Sequence, residues 1–173
     1  MLNIHIPNQE KSRALILIDL QEGFLNDKSR WIIPNIQQII KDGKYDLIVE
    51  TVFHADPGSL WDKQVKWTFP LVETTPEIKA LLDKDVVHII KTTKSAFKGN
   101  KDLLNILKSK NIDTVHVTGI DTDDCVFATA QESFDLGFST YVLEECTASS
   151  EGDGYRDAAL KLLRNVQMTN YTK

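Results

Sequence analysis

Residues 13–19, RALILID, constrain the fold more than any other stretch. Uninterrupted aliphatic residues from Ala14 to Ile18 leave no polar face, so a strand made of them has to be covered on both sides. That is the situation in a parallel sheet sandwiched by helices, where Asp19 would leave the sheet at its carboxyl end. Similar runs recur at residues 46–53, 86–91, 114–118 and 140–146, and residues 167–171 read as a short added edge strand. Helices are expected over 31–41, 75–82, 100–110, 123–136 and 154–166, from aliphatic side chains at helical spacing and from Pro34 and Pro76 in first-turn positions. Strands that alternate with crossovers long enough for helices predict an α/β protein. The expected form is a three-layer α/β/α domain whose mainly parallel, doubly wound sheet has five to six strands and binds ligands outside the carboxyl ends.

A length of 173 residues suits one domain, spanning 1–173, and 42% hydrophobic with 26% charged residues is the composition of a soluble globule. The net charge of -5 argues against nucleic acid and anionic membrane surfaces, which leaves small molecules or other proteins as partners. No apolar run approaches the roughly 18 residues of a membrane span, and two cysteines, Cys125 and Cys146, are too few for a disulfide framework. A reducing, cytoplasmic setting fits both.

Reactive groups collect at the strand ends. Asp19 follows the first strand and Lys91 ends the third, while Cys125 opens the helix after the fourth, within TGIDTDDCV. Gly119 permits a tight turn there, Asp121 or Thr122 is placed to cap the helix, and exposed amides at a helix start favour a thiolate or an oxyanion. Asp121, Asp123 and Asp124 would raise the thiol pKa, so a reactive Cys125 needs a cation from elsewhere in the chain. Lys91 supplies one and Asp19 can take the thiol proton. None of His5, His54, His88 and His116 occupies a position that forces a Cys/His pair. His88, alone in an aliphatic strand, is expected to be a hydrogen-bonded core residue.

Leu17-Ile18-Asp19-Leu20-Gln21 with Phe24, Lys91-Thr92-Thr93-Lys94-Ser95-Ala96-Phe97, and Gly119 through Val126 together resemble the ordered signatures of the isochorismatase-like cysteine hydrolases. The resemblance covers residues 13–148. It implies a triad of Asp19, Lys91 and Cys125, with Lys91 rather than Lys94, and a non-proline cis peptide at Ile120-Asp121 that turns the amides of Asp121 and Cys125 toward an oxyanion. Gln21, Phe24, His54 and Trp61 are expected to meet the substrate, and no cofactor is implied.

Two departures shape the expected chemistry. Nicotinamidases of this family carry an Asp-x-His metal cluster after the second strand, whereas here the segment is TVFHAD (residues 51–56), so a metal-independent enzyme is expected. Members that cleave the vinyl ether of isochorismate lack the cysteine. Its presence points to hydrolysis of a C–N bond in a small amide, ureide or carbamoyl compound. The long irregular segment that runs to about residue 74, with Trp61 and Trp67, belongs to the 51–74 region where specificity is expected to reside, together with a neighbouring subunit of a homo-oligomer. The alternative is a binding protein on the same scaffold that has lost turnover.

Overall fold

The computed structural model describes residues 4–9, 11–83 and 85–171. Its strands are β1 (Arg13–Ile18), β2 (Leu47–Phe53), β3 (Val87–Lys91), β4 (Thr114–Ile120) and β5 (Ser139–Ala148). Among the described residues they form one parallel sheet in the order β3-β2-β1-β4-β5. Every residue of β1 and β4 is buried, as an aliphatic strand covered on both faces requires. The helices are α1 (Ile33–Lys41), α2 (Pro76–Lys79), α3 (Lys101–Ser109), α4 (Phe127–Asp135) and α5 (Asp153–Asn165). Leu103, Leu107, Ala130, Leu160 and Leu163 of α3, α4 and α5 pack on Ile16, Val49 and Val117. Ile36, Ile39 and Ile78 of α1 and α2 pack on Leu15, Leu17 and Leu143 on the opposite face. The expected three layers are therefore present.

Chain order runs one way from β1 through β2 to β3 and the other way from β4 to β5, so the direction reverses between β1 and β4. A crevice opens at that reversal, outside the carboxyl ends. The two strands approach closely there. A Cβ on Gly119, whose φ is +107°, would lie 2.1 Å from the Ile18 carbonyl oxygen, so only glycine fits.

Three details differ from expectation. Residues 167–171 add no strand, because only one parallel bridge joins Thr169 to Val142. Residues 122–126 form a π-helical turn ahead of α4 rather than α-helix, and Asp121 does not cap it with its side chain. His88 lies on the same exposed face of edge strand β3 as Ile90, against the Glu50 carboxylate, rather than in the core.

The 54–74 segment is more ordered than a bare excursion. Antiparallel bridges join Ala55 to Phe69 and Thr74 to Gln21, and residues 61–65 make a π-helical turn. Trp67 stacks between Phe53 (5.8 Å, 12°) and Phe69 (5.4 Å, 23°), which folds the segment back over the strand ends. No helix among the described residues is long and apolar enough to cross a membrane.

Candidate active site

Asp19, Lys91 and Cys125 meet at the strand reversal. The Lys91 ammonium is 2.7 Å from Asp19 Oδ2 and 3.4 Å from Cys125 Sγ, and it also donates to the carbonyls of Thr93 (2.9 Å) and Lys94 (3.1 Å). Asp19 is wholly buried, and both Lys91 and Cys125 nearly so. Asp19 leaves β1 in the left-handed region, at φ 48°, which turns its carboxylate off the sheet edge. There the Thr51 hydroxyl donates to Asp19 Oδ1 at 2.6 Å. Oδ2 faces Lys91 as an ion pair and accepts no well-formed hydrogen bond, so it retains capacity for a proton. Lys91 Nζ also stands 4.9 Å over the Phe53 ring.

Burial alone would lower the Lys91 pKa, but Asp19 and then Cys125 reverse it, and the ammonium is held charged. The thiol of Cys125 is pushed well above its ordinary range, first by burial and then by Asp19, with Lys91 opposing and Asp124 adding to the rise.

Cys125 borders a cavity of about 760 Å³. Phe24, Trp61, Ile120 and Asp121 line it, and the Ile120-Asp121 peptide bond is cis. Gln21 and His54 do not line it. Gln21 is fully buried, and both ends of its amide are consumed by the main chain: Nε2 donates to the carbonyls of Phe53 (2.9 Å) and Val72 (2.8 Å), while Oε1 accepts from Phe53 N–H (2.7 Å). His54 turns its Nδ1 to Asp56 at 3.1 Å.

Several contributors escape the sequence reading. Thr51 orients the carboxylate, and its only signal is a hydroxyl that, with Glu50, interrupts the aliphatic run of the second strand. Ser150 is another: its N–H and hydroxyl donate to the two oxygens of Asp121, at 2.6 and 2.9 Å. Burial, partly opposed by Ser150 and assisted by Asp123 and Asp124, raises the Asp121 pKa to about 6.

The chain matches the Isochorismatase domain family over residues 13–172. An uncharacterized isochorismatase family protein of Bacillus subtilis, YrdC, is 30% identical, with 87% of this chain and 83% of that protein covered. The nicotinamidase/pyrazinamidase of Mycobacterium tuberculosis is also 30% identical, covering 90% of this chain and 96% of its own length. Among solved structures, the pyrazinamidase of Pyrococcus horikoshii in complex with zinc superposes with a TM-score of 0.72 at 25% identity, over 89% of this chain and 95% of that one. The donors here do not fit such an ion. Among the described residues no three His, Cys, Asp or Glu side chains are grouped to hold a metal, and His54 with Asp56 is a pair where zinc takes about four ligands.

Proposed function

Since the chain belongs to the isochorismatase family, we propose that it is a cysteine hydrolase that cleaves the C–N bond of a small amide, ureide or carbamoyl compound without a metal. The observation that carries this reading is the contact of one ammonium with both a carboxylate and a thiol beside a cavity. In the proposed reaction Asp19 takes the thiol proton as Sγ forms a bond to the carbonyl carbon. Lys91 holds the separating charges together, and the amides of Asp121 and Cys125 receive the oxyanion. The C–N bond then breaks, and Asp19 returns its proton to the leaving nitrogen. Water attacks the thioester, Asp19 takes its proton, and the acid departs as the thiol is restored. The free edge of β3, where Ile90 is exposed, suits assembly with further copies of the chain.

One feature favours a binding protein without turnover: burial, and then the Asp19 and Asp124 carboxylates, push the Cys125 thiol pKa up. A turnover screen over small amides and ureides, with Cys125→Ala as control, decides between the two. Cleavage that disappears in the variant supports the hydrolase, and cleavage that persists in it, or none across the panel, overturns it.

A further inference from the structure

The cavity beside Cys125 has one aromatic wall and one acidic wall. Phe24, Phe53, Trp61 and Trp67 form the first, and two of these rings already lie beneath ammonium groups of the chain itself: Lys91 Nζ is 4.9 Å from the Phe53 centroid and Lys94 Nζ is 5.5 Å from that of Trp61. Ring faces attract cations because their quadrupole is negative above the plane. Asp121, Asp123, Asp124 and Glu151 form the second wall, against two ammonium groups, Lys66 and Lys94. Both ammonium groups are engaged, Lys94 by the Asp124 carboxylate and Lys66 by the Lys63 carbonyl at 2.8 Å. Among the described residues the hydrogen bonds to the Asp121 carboxylate come from the neutral donors of Ser150, and the cavity lining holds more carboxylates than ammonium groups.

Resting on the hydrolase reading of this same site, we propose that the substrate is a small amide whose remote end carries a positive charge, as an ammonium or amidinium group. Such a group meets the rings of Phe24 and Trp61 and the carboxylates within one cavity, whereas an anionic half-amide meets like charge. The charge also serves the chemistry. Burial, Asp19 and Asp124 push the Cys125 thiol pKa up, and a cation docked beside Asp124 offsets part of that, so binding itself draws the thiol toward thiolate.

The test uses the reaction of Cys125 with thiosulfonates, in which the thiolate forms a disulfide with the reagent's sulfenyl sulfur and methanesulfinate departs. Rates with 2-ammonioethyl and 2-sulfonatoethyl methanethiosulfonate are each normalised to 2-mercaptoethanol, with Cys125→Ser as the blank for Cys146. The expected cation-to-anion ratio is on the order of tenfold or more at low salt, shrinking as salt screens the wall. Asp123→Asn should lower it, and Asp124→Asn should lower it further by freeing Lys94 toward the anion. In parallel, kcat/KM is compared for glycinamide, its neutral isostere propionamide, and malonamate, with the cationic amide expected to lead. A thiosulfonate ratio near or below one in the parent overturns the proposal, as does amide turnover without charge preference. Cation-selective labelling with no amide turned over leaves the charge preference standing and removes the hydrolase reading instead.

Discussion

At the carboxyl ends of the strands Asp19, Lys91 and Cys125 meet beside a cavity, whereas toward the amino ends buried Arg13 and His116 pack with half-buried Tyr45 in a different manner. The Tyr45 hydroxyl meets His116 Nδ1 at 3.1 Å, the rings of Tyr45 and Tyr141 stand edge-on to the imidazole, and the Arg13 guanidinium lies 5.8 Å from the Tyr45 centroid. Burial, reinforced by the charge of Arg13, lowers the His116 pKa to about 3, and burial raises that of Tyr45. Both clusters are desolvated, yet only one joins opposite charges. Burial by itself therefore marks packing; opposite charges in contact beside open space mark a place where protons and electrons can be moved. The cysteines repeat the contrast: Cys146 lies in the core with Ile36 and Ile39 of α1, its pKa raised by burial and then by Glu145.

The strongest way to break the contrast is Lys91→Ala, which leaves Asp19 buried without its cation. Unfolding free energy should fall by about 3–5 kcal/mol and turnover by about a hundredfold or more; a loss below about 1 kcal/mol in chemical denaturation would mean that the pair is not desolvated. At the other end the measurement is stability against pH. His116 has a folded pKa of about 3 against an ordinary 6.5, so its contribution is complete above 6.5 and is lost as pH falls toward 3. The loss is about 5 kcal/mol, and His116→Gln should remove that slope.

Asp121 runs the opposite way over part of the same range. Its folded pKa of about 6 lies above the ordinary 3.8, so its contribution is complete below 3.8 and is lost as pH rises through 6, by about 3 kcal/mol. The stability of Asp121→Asn relative to the parent should thus climb between pH 4 and 6, and a flat difference curve would show that Asp121 is solvated. The smallest effect is expected for Lys94→Ala. Its ion pair with Asp124 is half exposed, so denaturation should register at most about 1 kcal/mol.

Much of this was legible in the sequence because parallel topology sends every carboxyl end to one edge. An aliphatic run followed by Asp19, and another ended by Lys91, already place those groups together with Cys125. The details that escaped depend on distant partners. Nothing near Gln21 indicates that its amide will be used by Phe53 and Val72, and nothing near Asp121 indicates that Ser150 will take its carboxylate from the capping role. Likewise the aliphatic spacing after Asp123 fits a helix, but does not distinguish the wider first turn that carries Cys125. His88 reads as core because an aliphatic strand does not declare that one of its faces is exposed.

Gln21 has one more implication. Its amide fastens Phe53 and Val72, and the Ala55–Phe69 bridge closes just inside them, so residues 56–68 hang between fixed posts. Closing a loop of altered length between such posts changes the free energy only slowly, by roughly 0.6 kcal/mol per doubling. A descendant lineage can therefore exchange the span carrying Trp61 and Trp67 as a cassette, acquiring new selectivity while the alignment of Asp19, Lys91 and Cys125 is inherited intact.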